Sequence, residues 1–380
     1  MQKFLLCTCV LLAATALVAA ADQPAIANVV VFHAAGRYGG WPANHGIWSW
    51  GNEILVGFES GYFKFNDHRH SIDWDRPAEH ALARSKDGGE SWTIEIPESL
   101  KPPNGSKVAG VLTMPGGKQP VDCPGGIDFT NPDFALTVRM EDIHTGPSRF
   151  YYSYDRGHTW TGPFRVPNFG QKGIAARTDY LVNGKHDLTM FLTAAKSNGQ
   201  QGRVICVRTR DGGKTWAFIS FIGPEPAEAE KALMPSSVRL SPQSIVTAIR
   251  HTSFIDLWRS DDDGATWAVV SKAAPNTGAH NGNPPSLVKL RDGRLAITYG
   301  FRSEPYGIRA RLSSDQGKTW SSEINLRSYA GAWDLGYTRT VQRPDGKLVT
   351  IYYFNDKEDT ERYIAATIWD PAVLGKVKTL

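Results

Sequence analysis

Five basic side chains stand at the starts or ends of apolar, β-type runs in this sequence: Arg139, Arg177, Lys196, Arg250 and Arg302. Dozens of residues separate most of them, and the whole chain carries a formal charge of only +4. Gathering them in one place costs like-charge repulsion unless carboxylates or an anionic ligand compensate. Arginine suits that task, because its planar fork grips a carboxylate through two parallel hydrogen bonds. The chemistry implied is recognition of a carboxylated or sulfated sugar. Candidates for proton transfer lie nearby in sequence. The polar segment 60–80 contains Asp67-His68-Arg69-His70 and Asp73-Trp74-Asp75, and Met140-Glu-Asp-Ile-His144 adds Glu141. Two carboxyls flanking a glycosidic bond can act as acid and as nucleophile or base, their separation setting the stereochemistry. His45 and His144 are alternative proton carriers near neutral pH. Asn44, Asn283, Asp122 and Asp179 at other run starts, with Glu59 and Asp356 at run ends, complete the polar set, and Trp41, Trp48 and Trp333 offer faces for stacking sugar rings.

Residues so scattered converge only if the fold repeats, and a repeat is visible. Ser85-Lys-Asp-Gly-Gly-Glu-Ser-Trp92 returns as Ser153-Tyr-Asp-Arg-Gly-His-Thr-Trp160 and as Thr209-Arg-Asp-Gly-Gly-Lys-Thr-Trp216. It recurs as Ser260-Asp-Asp-Asp-Gly-Ala-Thr-Trp267 and Ser313-Ser-Asp-Gln-Gly-Lys-Thr-Trp320. The aspartates at 87, 155, 211, 262 and 315 are spaced by 68, 56, 51 and 53 residues, a period typical of propeller blades. Each box reads as a hairpin turn. Asp accepts backbone N–H groups, Gly supplies a turn geometry that a Cβ hinders, and Trp packs between sheets. These aspartates are structural. Runs such as Ile54–Phe58, Phe134–Val138, Leu188–Leu192, Ser244–Ile249, Leu295–Tyr299 and Leu348–Tyr353 are the matching second strands. Six second strands against five boxes predict an all-β, six-bladed propeller of four-stranded antiparallel blades. The strand Ala27 to Phe32 should complete the sixth blade and close the ring. In such a ring the first residues of each innermost strand and the last residues of the next strand share one face, which gathers the polar groups above into an axial pocket.

The box motif, with Asp334-Leu-Gly-Tyr337-Thr-Arg-Thr-Val-Gln-Arg-Pro-Asp-Gly346, resembles the sialidase (neuraminidase) superfamily over about residues 27 to 371. The resemblance implies that Tyr337 is the nucleophile, that Arg250 and Arg302 correspond to two of the family's three carboxylate-binding arginines, and that Asp67 or Asp73 is the acid/base. A neutral phenol is a poor nucleophile and needs a base or a positive field. Two departures stand out. Trp41-Pro-Ala-Asn-His-Gly46 replaces the family's Arg-Ile-Pro, and Met234 stands where its tyrosine-activating Glu belongs. Weak turnover of plain sialosides is the expectation.

The chain begins with Lys3, an apolar run from Phe4 to Val18, and small residues before Asp22. This reads as a signal peptide over residues 1–21, followed by a single propeller domain over 22–380 that is secreted or periplasmic. No later run approaches the ~20 apolar residues of a membrane span. The mature chain keeps Cys123 and Cys206, read as unpaired small apolar residues. The slight charge and the lack of a long basic run exclude a nucleic-acid partner. No Cys/His spacing suggests zinc, and no cofactor is expected. The partner implied is an acidic glycan. Three functions remain: an exo-acting glycoside hydrolase releasing a terminal acidic sugar, a lyase on uronate-containing glycans, and a binding propeller without turnover.

Overall fold

The computed structural model describes residues 25–103, 107–108, 111–114 and 116–374; the predicted leader lies outside them. Six antiparallel sheets follow one another along the chain as blades of a six-bladed propeller. The fourth and fifth have four strands each: Leu233–Arg239, Ile245–Arg250, Ile255–Ser260 and Ala268–Ala274, then Ser286–Lys289, Leu295–Phe301, Gly307–Ser313 and Ile324–Ser328. The sixth combines Gly336–Gln342, Leu348–Phe354 and Tyr363–Trp369 with the N-terminal strand Ile26–Phe32, which pairs along Tyr363–Trp369. Both ends of the propeller thus share one blade, as expected, and the ring closes without a free N-terminal edge.

The expectation of uniform four-stranded blades needs correction in three places. The second blade has three strands among the described residues, Ala135–Met140, Ser148–Ser153 and Thr161–Arg165. In the first, the innermost strand is broken into Arg37–Gly40 and Ile47–Trp50, both paired with Glu53–Tyr62. The short helix Pro42–His45 fills the gap. In the third, Ile174–Ala175 and Tyr180–Gly184 both pair with Asp187–Ala195, leaving a gap that carries Arg177 and Asp179. Box counting sees hairpins, and these breaks lie between hairpins.

The boxes form the turns that their residues predict. In the second, the Ser153 hydroxyl accepts the buried Gly157 N–H at 2.8 Å and donates to Asp155, and Asp155 accepts from Thr159. Trp160 donates to the Gly157 carbonyl and packs against Trp48 of the first blade, ring centroids 5.5 Å apart. Trp216 meets Phe150, and Trp267 meets Phe191, in the same way. Each box therefore seals its blade to the one before. Replacing Ser153 by Ala leaves the Gly157 N–H buried without a partner, so an unfolding free-energy loss of about 1–3 kcal/mol is expected in a denaturant titration. A loss below a few tenths would show the hydroxyl to be dispensable. Cys123 and Cys206 are buried and unbonded.

Candidate functional site

The polar breaks and bulges of the innermost strands open onto one cleft of about 450 Å³, within the range of small-ligand sites. Tyr337 lies at its base, where the sixth blade's innermost strand begins. Register slips between Gly336 and Arg339, and Tyr337 takes φ 53°, a left-handed conformation uncommon for a bulky residue. Asn283 imposes it. Its Oδ1 accepts the Tyr337 and Gly300 N–H groups at 2.9 and 3.1 Å, and its Nδ2 donates to the Leu335 carbonyl at 3.0 Å. A Cβ at Gly336 would fall 2.4 Å from the same amide, so only glycine lets the bulge seat against it.

Three arginines surround the phenol. Arg250 Nη1 donates to the Tyr337 hydroxyl at 3.3 Å and Nη2 to the Asn281 carbonyl at 2.6 Å, while its buried Nε has no protein partner. Arg177, from the break in the third blade, donates to Asn44 and Gln201. Arg302 is differently employed: it donates to the Leu335, His280 and Gly282 carbonyls and to the Tyr353 hydroxyl. It braces the cleft wall while its charge still acts on Tyr337. Burial alone would push the Tyr337 phenol up, but Arg250 first, then His70, Arg302 and Arg177, outweigh it and bring it down to about 7. Lys231, also in the lining, is pressed down to about 8 by burial and by Arg250.

His70 faces Tyr337 edge-on, centroids 6.1 Å apart. Its Nδ1 lies 2.5 Å from Asp334 Oδ1. An ionised carboxylate only accepts, so Nδ1 carries the proton and Nε2 is free for other chemistry. Asp334 is buried and also accepts from the Ser71 N–H, Tyr353 and Arg362. Burial raises its carboxyl, yet His70, Arg362 and the Ser71 amide together hold it well below the usual carboxylate range. The same bonds pin segment 60–80 over the cleft, bringing His68, Arg69 and Trp74 into its lining.

Of the residues expected from sequence, the structure gathers Tyr337, Arg250, Arg302, Arg177 and Asn44, with Trp41 and Trp333 as aromatic walls. The others lie elsewhere. Asp67 is exposed and Asp73 is engaged with Lys64 and the Asp75 N–H. Glu141 stands outside the lining, although Met140 and Ile143 belong to it. Lys196 is consumed by the carbonyls of Ala227, Glu228 and Glu230. Asp179 binds the Ser237 N–H and hydroxyl, and burial pushes its carboxyl up to about 7. Arg139 and His45 are buried below the lining, the guanidinium holding the His45 carbonyl. Asn283 acts on the Tyr337 backbone. Trp48 packs in the core with its Nε1 on Tyr180. His144 accepts from the Gln201 N–H, Asp122 pairs with Arg165, and Asp356 accepts from Tyr363. Sequence reasoning named His70 and Asp334 within motifs without a role, since only the folded ring joins positions 264 residues apart. Among the described residues no carboxylate lines the cleft.

The family described as BNR repeat-like domain matches residues 134–350. No curated protein sequence matches the chain significantly. Among solved structures, a Dyadobacter fermentans protein of unknown function is 20% identical, with a TM-score of 0.67 over 91% of this chain and 99% of that one. The NanB sialidase of Streptococcus pneumoniae is 13% identical, with a TM-score of 0.60 over 91% and 71%. The GH93 α-L-arabinofuranosidase of Fusarium graminearum, solved with arabinobiose, is 12% identical, with a TM-score of 0.63 over 92% and 99%.

Proposed function

Because this chain belongs to the BNR repeat-like domain family and has the sialidase-like propeller fold, we propose that its cleft hydrolyses the bond to a terminal acidic sugar of a glycan. The observation that carries this reading is the Tyr337 phenol, brought to about 7 by Arg250, His70, Arg302 and Arg177 in a cleft that no carboxylate lines among the described residues. A carboxylate nucleophile would repel an anionic group beside the reacting carbon, whereas a tyrosine poised near neutrality is presented among positive charges. Tyr337 Oη attacks the anomeric carbon as the phenolate while the bond to the leaving oxygen breaks, and His70, as the imidazolium with its Nδ1–H still on Asp334, gives its Nε2 proton to that oxygen. Water then attacks the same carbon, His70 takes the proton, and the phenolate departs. Asp334 holds the His70 tautomer and stabilises its charged form. Arg250 and Arg177 bind the sugar's anion, with Trp41 and Trp333 as walls. A cleft lined by residues of all six blades, at the propeller axis, admits a chain end more readily than the middle of a polymer, which favours exo action. Reading residues 1–21 as a signal peptide supports action in the secreted or periplasmic space.

The bare lining favours one second reading. A lyase needs only to move a proton from a sugar carbon to a leaving oxygen while arginines neutralise a uronate, and Tyr337 and His70 suffice for that. Assay against glycans ending in sialic acid, uronate or sulfated sugar, following reducing ends and double-bond absorbance together, separates the readings. Reducing ends without absorbance are expected, with little release from simple sialosides because the Glu and one Arg of that chemistry are missing. Arg250→Ala should lower kcat/KM on the preferred glycan roughly 30- to 5,000-fold, as for a lost buried charge contact of ~2–5 kcal/mol. Absorbance would convert the assignment to a lyase, and binding without products to a lectin.

A further inference from the structure

Below the cleft lining, three titratable side chains meet that the proposed reaction does not use. His45, Glu59 and His80 are 0%, 0% and 4% exposed. Glu59 and His80 are cross-strand partners in the first blade, so their side chains rise from the same face of the sheet. His45 comes from the helix Pro42–His45, which lies so close to the strand Glu53–Tyr62 that a Cβ on Gly57 would fall 2.6 Å from the His45 Cβ. His45 Nε2 is 3.5 Å from Glu59 Oε2, and His80 Nδ1 is 3.2 Å from the same oxygen. One ligand atom from each residue lies within 4.8 Å of the other two. Yet neither carboxylate oxygen and none of the four ring nitrogens has a hydrogen-bond partner. Buried polar groups are rarely left so, because each forfeits its hydration.

Ligand type and spacing say what would satisfy them. Nitrogen and oxygen ligands about 2.0–2.1 Å from a tetrahedral Zn²⁺ lie about 3.3 Å apart, and the contacts of 3.2 and 3.5 Å bracket that edge. The neutral imidazole ring is the ligating form. Arg139 bears electrostatically on all three groups, and its buried Nε and Nη2 also lack partners. An anionic fourth ligand, hydroxide or chloride, would accept those N–H groups and offset the repulsion between guanidinium and dication.

We propose that His45, Glu59 and His80 bind one divalent transition-metal ion of the zinc type as a closed structural site. It clamps the helix that carries Asn44, a cleft-lining residue, onto the first blade. The spacing of 14 and 21 residues between ligands resembles no linear zinc motif, which is why sequence reasoning passed over it.

The test uses the full mature protein. Metal content is measured after purification from zinc-supplemented medium. Thermal unfolding is then followed before chelation, after chelation and after adding zinc back, and Co²⁺ is loaded to read tetrahedral absorption bands. Near one equivalent of zinc is expected, with a melting temperature that falls on chelation and returns with zinc. His80→Asn should retain less than about one-tenth of that equivalent and lose the zinc-dependent shift. Should that variant fail to fold, the wild-type measurements decide alone. Wild-type protein with no stoichiometric metal, whose melting temperature ignores both zinc and chelator, would overturn the site.

Discussion

Tyr337→Phe is expected to reduce turnover of the preferred acidic glycan by about 10⁴–10⁶-fold, the scale on which enzymes lose a covalent nucleophile. The fold should hardly notice, because the hydroxyl has a single side-chain partner, Arg250, which keeps its bond to the Asn281 carbonyl. The wild-type pH profile carries the same information. A phenol depressed from 10 to about 7 is increasingly ionised as pH rises through 7, so kcat/KM should climb on that limb. The residual activity of Tyr337→Phe should lack that limb. Arg250 exerts the strongest of the lowering charges, so its removal should move the limb to higher pH as well as weaken binding. Retention of more than a tenth of wild-type kcat by the phenylalanine variant would remove Tyr337 from the chemistry and leave the arginines as binding groups only.

The fold was legible because its signals are local. Each box keeps its Asp, Gly and Trp within a few residues, and the turn bonds of Asp155 and the seat of Trp160 against Trp48 follow from those types alone. Tyr337, Arg177, Arg250 and Arg302 were legible because propeller geometry sends strand starts and strand ends to one face. The same rule also nominated Asp179, Lys196, Arg139 and His45, which sit at equivalent positions; yet Asp179 spends its polar atoms on Ser237 and Lys196 on loop carbonyls, while Arg139 and His45 are buried below the lining. Position along a strand fixes a side chain's direction and leaves its partner open. His70 and Asp334 lay beyond reach for the opposite reason. Their pairing depends on how segment 60–80 folds back over the sixth blade, where the Ser71 N–H and the His70 ring meet one carboxylate. The functional residues also cluster where regularity fails: Arg177 in a strand gap, Asn44 in the helix filling another, Tyr337 at a bulge. A pattern that predicts regular strands is weakest at such places, and there the backbone turns side chains inward.

Replacing Asp334 by Asn should cost about 3–5 kcal/mol of unfolding free energy near neutral pH, because it strips a buried arginine of its charge partner. Asp334 and Arg362 are both 1% exposed, with Arg362 Nε 3.1 Å from Asp334 Oδ2. Asn keeps the shape and one accepting oxygen, so the loss reports charge more than packing. The sign with pH follows from the direction of the shift. The carboxyl is held below its unfolded value, so its stabilisation is complete above the ordinary carboxylate pKa of about 4 and disappears as pH falls toward the lower folded value. The gap between wild type and variant should therefore narrow as pH falls below 4. The variant should also lose activity out of proportion to its folded fraction. An amide NH₂ facing His70 Nδ1 drives the ring proton to Nε2, so the neutral ring that must take a proton from water no longer exists in the required tautomer. Measured on folded protein at low temperature, kcat should fall by about 10²–10⁴ while the affinity for the anionic sugar, set by Arg250 and Arg177, stays within a few-fold. A stable Asp334→Asn protein with wild-type kcat would mean that neither the buried pair nor the imidazole it orients matters to this molecule.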